Sequence, residues 1–352
     1  MHLQQRISAF VELGRFLGQF SSQEFKKIDD VMYNDIFFDS FKQQIHLAEI
    51  NNGWFTKENI VYSFNSWSKL LTKSNLTSWI KSYYLDDIDS EKIAVIMAGN
   101  IPLVGFHDFL SVLISGHKVL VKQSSNDKHL LSYLAKYIET VEPEFKGLIS
   151  FTEERLDNFD AVIATGSNNT SRYFEYYFKN KPSIIRKNRN AVAVLSGNET
   201  KTQLEALSED IFRYYGLGCR NVSKLFVPKD YNFDVFFEAI YKWHPIIEKN
   251  KYANNYDYNK AVYLMSEFDI LENGFFMIKE DESYASPIAS LFYEYYEDTK
   301  ILKTKLDKDI DKIQCVISEG FSSIEVKFGE SQTPQLWNYA DGIDTIAFLS
   351  NL

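Results

Sequence analysis

The chain has 352 residues, of which 45% are hydrophobic, and this is enough apolar side chain to bury two domains of ordinary size. Its formal net charge is −10 and it has no long basic run, so we exclude a nucleic-acid partner because a duplex-binding surface would lack electrostatic support. We also expect no membrane span and a cytoplasmic protein, because no apolar run reaches roughly 18 residues and no signal-like stretch opens the chain.

Residues 1–90 are predicted to be helical. Apolar residues recur there near helical spacing, and Asn52-Gly53 separates two halves. Thr56 is placed to cap the second half, with Phe55 and Ile60 at the positions of a hydrophobic staple. We expect this helical N-terminal region to bury its apolar stripe by packing on the domain that follows.

From residue 91 the pattern changes to short apolar runs between helices. Residues 92–98 and 118–122 predict two buried strands, and the helix 103–115 between them ends at Gly116. A strand-helix-strand unit aligns its strands in parallel, so this region predicts a parallel sheet. The alternation continues with a helix at 128–141, strands near 148–151 and at 159–165, a helix at 170–180 and a strand at 191–195.

A second region of the same kind follows residue 195. Thr202 and Glu205 have the spacing of a capping box, and their helix is predicted to end at Gly216. A strand at 222–227 and a helix within 231–248 come next. The tail after residue 325 is rich in turn residues and lacks the strand-helix pattern, so we expect it to dock on another subunit rather than to form a core.

Two cysteines are too few for a disulfide framework, so each is expected to be a free thiol. Cys219 follows Gly218 at the end of a helix-turn, and the adjacent Arg220 favours a reactive thiolate. A small buried hydrophobe is the alternative interpretation of an isolated cysteine. Cys315 lies in an apolar, strand-like run at 313–317, and we expect it to be packing.

Other catalytic patterns are absent from the sequence. The six histidines include no pair at i, i+4 spacing, so we predict no metal site. The chain has no Gly-x-Ser-x-Gly elbow, no Walker-type phosphate loop and no Gly-x-Gly-x-x-Gly segment. These absences leave open whether Cys219 is a reactive thiol or a buried hydrophobe.

Four segments, taken in chain order, resemble landmarks of the aldehyde dehydrogenase superfamily. Gly99–Leu103 resembles its Asn-x-Pro segment, and residues 115–125 are similar to its Gly-Asn-x-Val-x-x-Lys-Pro-Ser segment. Ala164–Ser167 resembles its Thr-Gly-Ser turn, and the Cys219 turn with the strand after it resembles its nucleophile loop. The resemblance implies an α/β fold with two Rossmann-like parallel-sheet domains.

The resemblance also implies the domain organisation. We expect a helical N-terminal region at 1–90, an NAD(P)-binding domain at 91–195 and a catalytic domain carrying Cys219 at 196–325. A C-terminal oligomerisation tail at 326–352 completes the expected fold, and a homo-oligomer follows from it.

Within the superfamily the chain most resembles the LuxC-type fatty acyl-CoA reductases. Its short length and the Gly-Glu-Ser-Gln-Thr-Pro segment at 329–334, ahead of Asp341-Gly342, suit that branch. Hydrolytic aldehyde dehydrogenases carry a glutamate in the segment that matches Ile185–Arg189, where this chain has no acid. Because that glutamate activates water against the thioester, its absence implies an acyl-enzyme that survives to be reduced.

The resemblance assigns the chemistry to Cys219 and Asn100. Cys219 would attack an acyl-CoA or acyl-carrier thioester and form an S-acyl enzyme, which is then reduced to a fatty aldehyde. Both steps place negative charge on one oxygen, and the Asn100 side-chain amide and the Cys219 backbone N–H are the candidate donors to it. Luminous members of the family receive acyl groups from an acyl-protein synthetase, so the resemblance implies such a partner for this chain.

Cofactor residues come from the same resemblance. Lys122 resembles the lysine that contacts the adenosine ribose, and Gly166 with Ser167 resembles the turn beside the pyrophosphate at a helix N-terminus. Glu282 matches a glutamate that holds the nicotinamide ribose. Ser125 stands where many NAD-preferring relatives place a glutamate, and its small neutral side chain leaves space for a 2′-phosphate. We therefore expect NADPH, with NADH as the second choice.

Three alternatives remain open. One is a reductase of an acyl phosphate, which shares the thiol and hydride steps. Another is an acyl-transfer or acyl-binding protein that loads Cys219 without reducing it, and the third is a scaffold descended from an enzyme. The acyl-binding and scaffold alternatives predict no NADPH binding.

Overall fold

The computed structural model describes residues 1–86, 88–321 and 325–352. The predicted α/β fold class is confirmed, because parallel sheets alternate with helices after a helical N-terminal region. Within the described residues, no helix has the length and apolarity that crossing a bilayer requires.

The chain divides into two compact units. Unit 1 comprises Met1–Lys187 together with Gln335–Leu352, and unit 2 comprises Asn188–Pro334. The divisions therefore fall eight residues before the predicted boundary at 195 and nine residues after the one at 325.

The start of unit 1 is helical, as the sequence predicts, and its helices are α1 (Leu3–Gly18), α2 (Asn34–Asn51), α3 (Lys57–Leu70) and α4 (Lys73–Ile80). Aromatic rings fill the space between them, and the Phe20 ring lies 5.0 Å from the rings of both Phe38 and Phe41, measured between centroids. Thr56 caps α3 as predicted, because its hydroxyl accepts a hydrogen bond from the Asn59 N–H at 3.4 Å.

The sheet of unit 1 has five parallel strands: β1 (Lys92–Ile96), β2 (Lys118–Lys122), β3 (Ile149–Phe151), β4 (Ala161–Thr165) and β5 (Ser183–Arg186). Three helices connect them: α5 (Phe106–Ile114), α6 (Leu130–Val141) and α7 (Asn168–Tyr177). The strand order is β3-β2-β1-β4-β5. The chain moves outward from β1 to β3 and then returns to β4, so a topological switch point lies between β1 and β4.

The C-terminal tail completes the core of unit 1. It ends in α12 (Thr345–Ser350), which packs against α5, and Leu336, Ile346 and Leu349 have no exposed surface. The expectation that the tail does not form part of a core is therefore wrong. These three apolar side chains belong to the hydrophobic core of unit 1, where they are removed from water. Oligomerisation itself stays a prediction.

The sheet of unit 2 has six strands: β6 (Asn190–Val194), β7 (Val222–Pro228), β8 (Ile270–Glu272), β9 (Met277–Glu280), β10 (Ser290–Tyr296) and β11 (Ile313–Ile317). Their order is β11-β6-β7-β10-β9-β8, with β8 antiparallel to its neighbour. The helices of unit 2 are α8 (Lys201–Phe212), α9 (Phe233–Ile240), α10 (Asn250–Met265) and α11 (Thr299–Lys308). Because β6 pairs with β7 and β11, it lies in unit 2 and not in the preceding domain.

The start of α8 differs from the prediction. The Thr200 hydroxyl accepts a hydrogen bond from the Gln203 N–H at 3.3 Å, and the Gln203 side chain accepts one from the Thr200 N–H at 2.7 Å. The capping box predicted at Thr202 and Glu205 is therefore wrong by two residues. The predicted and the observed pair have the same spacing, and the observed pair begins the helix two residues earlier, at Lys201.

Candidate active site

Five predicted site residues lie along one edge of the unit 1 sheet. Asn100 follows β1, Lys122 and Ser125 lie at and after the end of β2, and Gly166 and Ser167 follow β4. These strands are adjacent and parallel, so their carboxyl ends share an edge. The edge includes the switch point between β1 and β4, where open α/β sheets bind ligands.

A tight turn after β1 carries Asn100, which is half-buried. Gly99 approaches Ser124 so closely that a Cβ on Gly99 would lie 2.6 Å from the Ser124 Cβ, so only glycine fits. The Asn52 amide Nδ2 donates to the carbonyls of Gly99 at 3.2 Å and Asn126 at 3.4 Å. The turns after β1 and β2 are therefore held together from the end of α2.

Asp127 is a buried carboxyl at the same place. Its Oδ2 accepts a hydrogen bond from the Leu103 N–H at 3.4 Å, and its Oδ1 has no hydrogen-bond partner in the part of the chain that the structure describes. Burial raises the pKa of Asp127 to about 7, and the Leu103 N–H opposes this shift. This carboxyl of the turn after β2 therefore contacts the segment that follows Asn100, at Leu103.

Lys122 is oriented by a backbone carbonyl. Its Nζ donates to the Glu154 carbonyl at 2.7 Å, which extends the side chain across the carboxyl ends of β2 and β3. Ser125 is exposed, and its backbone carbonyl accepts a hydrogen bond from Asn51 at 3.1 Å. A cavity of 180 Å³ lies beside them, lined by Gln123, Lys128, Phe151, Thr152 and Glu153.

Gly166 and Ser167 form the N-terminus of α7. The Ser167 side chain accepts a hydrogen bond from the Thr170 N–H at 3.3 Å, and a Cβ on Gly166 would lie 3.0 Å from Thr170 and Phe174. Unpaired N–H groups at a helix N-terminus favour an anion such as a pyrophosphate. Together with Lys122 and the exposed Ser125, these residues fit a dinucleotide at this edge.

The segment that leads to Cys219 has an unusual backbone. After α8, a 3₁₀ turn spans Arg213–Gly216, and within it Tyr214 and Tyr215 have φ angles of 55° and 59°. Left-handed backbone costs a non-glycine residue about 1–2 kcal/mol, so two in succession persist only where the surroundings hold them. Both tyrosines are buried.

Cys219 itself is exposed at the tip of a turn just before β7. The Gly218 carbonyl accepts a hydrogen bond from the Asn221 N–H at 3.0 Å, which closes a turn with Cys219 and Arg220 at its centre. The prediction that Cys219 is an accessible thiol is therefore consistent with its position. Its catalytic role stays a prediction.

The second thiol lies in electrostatic contact with this turn. Burial raises the pKa of the Cys315 thiol to about 12, the Arg220 guanidinium opposes the shift, and Cys219 adds to it. Cys315 is part of β11, as its apolar run predicts. A thiol that stays protonated is a poor nucleophile, so Cys315 is a weak candidate for a reactive residue.

Glu282 lies in the loop after β9, with its side chain exposed. Lys224 of β7 is fully buried; its Nζ donates to the carbonyls of Asp281 and Glu282, each at 2.9 Å, and pairs with Glu294 at 2.6 Å. Burial lowers the pKa of Lys224, and the pair with Glu294 opposes this. Lys224 therefore ties the Glu282 loop to the strand that follows Cys219.

Asp210 of α8 holds the segment that the resemblance singled out at 329–334. The Asp210 carboxylate accepts hydrogen bonds from the Gly329 N–H at 2.6 Å and the Ser331 N–H at 2.9 Å. Burial raises its pKa to about 6, against the effect of these donors. The segment is thereby fixed to the helix that precedes Cys219.

The seven predicted residues fall into two groups, with Cys219 and Glu282 in unit 2 and the other five in unit 1. Sequence reasoning missed the buried polar residues that support them, which are Asp127, Asp210, Asn221 and Lys224. A single buried polar residue has no spacing pattern. Lys224 is the exception, because a charged residue within the otherwise apolar strand β7 predicts a buried polar group with partners.

Comparisons with known proteins bear on the family and the fold. Residues 68–237 match the model of the acyl-CoA reductase (LuxC) family. No curated protein matches the chain in sequence.

Solved aldehyde dehydrogenases share the fold. Aldehyde dehydrogenase 21 from Physcomitrella patens, in complex with the product succinate, has a TM-score of 0.67 at 12% identity, over 100% of this chain and 84% of that chain. KauB from Pseudomonas aeruginosa has a TM-score of 0.61 at 12% identity, over 90% and 72%. The Mycobacterium tuberculosis enzyme, in complex with NAD⁺, has a TM-score of 0.62 at 12% identity, over 90% and 73%.

At this identity the solved structures establish the fold, and the family match adds the class of chemistry. Together they support an oxidoreductase that acts on acyl or aldehyde groups. The resemblance predicted from the sequence is confirmed: residues 68–237 carry the acyl-CoA reductase (LuxC) signature on an aldehyde dehydrogenase fold.

Proposed function

We propose that the protein reduces a fatty acyl thioester to the aldehyde with NADPH, through an S-acyl intermediate on Cys219. The observation that carries the proposal is the exposed thiol of Cys219, at the tip of a closed turn inside the segment that matches the LuxC family. An acyl-CoA or an acyl-carrier protein is the proposed donor. We also retain the acyl-protein synthetase and the homo-oligomer as proposals.

The first step uses the Cys219 thiolate. It attacks the carbonyl carbon of the thioester, the bond from that carbon to the CoA or carrier sulfur breaks, and the departing thiolate takes up a proton. The nicotinamide, when bound, supplies the hydride that reduces the acyl carbon. The bond between that carbon and the Cys219 sulfur then breaks, which releases the aldehyde and restores the thiolate. Asn100 and the Cys219 N–H are proposed to stabilise the negative oxygen in both steps.

The absence of an acid at Ile185–Arg189 supports reduction over hydrolysis. In this stretch the Arg186 guanidinium is buried and pairs with the Asp108 carboxylate, and it also donates to Thr345 at 3.1 Å. A cation committed to such a pair does not remove a proton from water. The acyl-enzyme is therefore expected to persist until it is reduced.

Cofactor binding is proposed for Lys122, Ser125, Gly166, Ser167 and Glu282. Ser125 tests the preference for NADPH, because a glutamate at this exposed position would repel a 2′-phosphate. We expect Ser125→Glu to weaken NADPH binding by about tenfold or more and to leave NADH binding nearly unchanged, as measured by fluorescence titration. Equal loss for both dinucleotides would argue against this placement.

The function is tested by following NADPH absorbance with a series of acyl-CoAs. The wild-type protein should consume NADPH and release aldehyde, and Cys219→Ala should fall below about a thousandth of that rate while still binding NADPH. Cys315→Ala is the matched control, because it removes the other thiol. NADPH consumption by Cys219→Ala at the wild-type rate would overturn the mechanism.

The same assay separates the alternatives. An acyl-phosphate reductase would consume NADPH with acyl phosphates and not with acyl-CoAs. A non-reducing acyl-transfer protein would show S-acylation of Cys219 by mass spectrometry without binding NADPH, and a scaffold would show neither.

A further inference from the structure

The Asn221 side chain connects the Cys219 turn to the end of α8. Its Oδ1 accepts a hydrogen bond from the Gly218 N–H at 2.8 Å. Its Nδ2 donates to three carbonyls, those of Arg213 at 2.8 Å, Asp210 at 3.0 Å and Ile211 at 3.4 Å. Asn221 is 2% exposed, so water does not compete for these bonds.

These partners fix the orientation of the amide. The last carbonyls of α8 lack partners within the helix and form its partially negative end, so they require a donor. When Nδ2 serves them, Oδ1 is directed to the Gly218 N–H. A carboxylate at this position would offer a second acceptor in place of the donor, and an apolar side chain would offer neither.

The backbone of Asn221 closes the same turn from the other side. Its N–H donates to the Gly218 carbonyl at 3.0 Å, so Gly218 is bound to Asn221 through both its N–H and its carbonyl. Cys219 and Arg220 are the two residues between them. The position of the Cys219 backbone is therefore set by a residue that is itself anchored on the helix.

We propose that Asn221 is the positioning residue of the Cys219 nucleophile. By holding the turn against α8, its side chain fixes where the Cys219 thiol and backbone N–H lie. Its amide also donates to carbonyls at the partially negative end of α8, which without a donor would disfavour a thiolate on the adjoining turn. The effect on turnover rests on the proposed function, whereas the effect on the thiol does not.

The experiment compares Asn221→Ala and Asn221→Asp with the wild-type protein. Alkylation of Cys219 by iodoacetamide is followed by mass spectrometry from acidic to alkaline pH, and turnover is followed with acyl-CoA and NADPH. We expect the midpoint of the alkylation profile to move to higher pH in Asn221→Ala and further in Asn221→Asp, which adds a carboxylate. Turnover should fall by about 10- to 100-fold in both variants, while the affinity for NADPH stays unchanged.

Asn259→Ala is the matched control. Asn259 is also a buried amide of unit 2, 9% exposed, and its Nδ2 donates to the Ile288 carbonyl at 2.9 Å. Its loss should lower the melting temperature without moving the alkylation profile of Cys219. A shift of the profile in Asn259→Ala as large as in Asn221→Ala would show a general effect of instability and would overturn the proposal.

The wild-type protein provides a measurement that does not depend on the folding of a variant. The Gly218 amide should exchange its hydrogen as slowly as the last amides of α8, because the Asn221 side chain protects it. Fast exchange at Gly218, or a wild-type alkylation profile in Asn221→Ala, would refute the positioning role. If the wild-type protein does not reduce thioesters, the proposed function fails, and the alkylation profiles still decide the role of Asn221.

Discussion

Replacing Asp127 by asparagine should make unit 1 more stable at alkaline pH and leave its stability unchanged at acidic pH. Burial raises the pKa of Asp127 to about 7 from an ordinary value of 3.8. Between pH 3.8 and about pH 7 the folded protein binds more protons at Asp127 than the unfolded chain does. The free energy of unfolding therefore carries the full contribution of Asp127 below pH 3.8 and loses it as the pH rises through the folded pKa of about 7. At about 1.4 kcal/mol per pH unit, the loss is at most about 4 kcal/mol.

Asparagine keeps the shape of the side chain and an oxygen that can accept the Leu103 N–H, but it cannot ionise. Urea unfolding should show equal free energies of unfolding for Asp127→Asn and wild type near pH 4, and an advantage of about 2–4 kcal/mol for the variant near pH 8. Asp157→Asn is the control, because Asp157 is an exposed aspartate of the same unit and its replacement should change the free energy by less than about 0.5 kcal/mol. A difference between Asp127→Asn and wild type that does not vary with pH would refute the reasoning.

Substitutions test three further features of the fold by chemical unfolding. Thr200→Ala should lower the free energy of unfolding by about 1 kcal/mol through loss of the α8 cap, whereas Thr202→Ala should change it little, and equal effects would contradict the observed cap. Lys224→Met should cost about 1–3 kcal/mol, because the carbonyls of Asp281 and Glu282 lose their donor while Glu294 keeps Lys305 as a partner, and an unchanged midpoint would show that the Lys224 contacts are dispensable. Leu349→Ala should cost about 2–5 kcal/mol if the tail is part of the core, and an effect below about 0.5 kcal/mol would place Leu349 outside it.

The fold was predictable where a single local pattern decides it. The run Ile93–Val95 is buried on both faces of its strand, so a continuous apolar segment was a sufficient signal. The same holds for Thr56, whose capping role depends only on the residues that follow it. The family of the fold was predictable from the four landmark segments between Gly99 and Cys219. Each of them lies at the end of a strand or helix, so their order along the chain reports the order of these elements.

The remaining features depend on contacts between distant residues. The tail looked unable to form a core because its turn residues hide the spacing of Leu336, Ile346 and Leu349. The left-handed Tyr214 and Tyr215 had no signal at all, since their residue type disfavours that backbone and only the surroundings impose it. The roles of the site residues were inferred from family motifs, and the Cys219 and Ser125 variants test them.

The division of the chain constrains how the protein is made. Unit 2 is one continuous segment, whereas unit 1 needs Gln335–Leu352 from beyond it. During synthesis the ribosome therefore releases all of unit 2 before the segment that supplies Leu336, Ile346 and Leu349. The core that these three side chains share with residues 1–187 is therefore completed last, when the chain beyond residue 335 has been made.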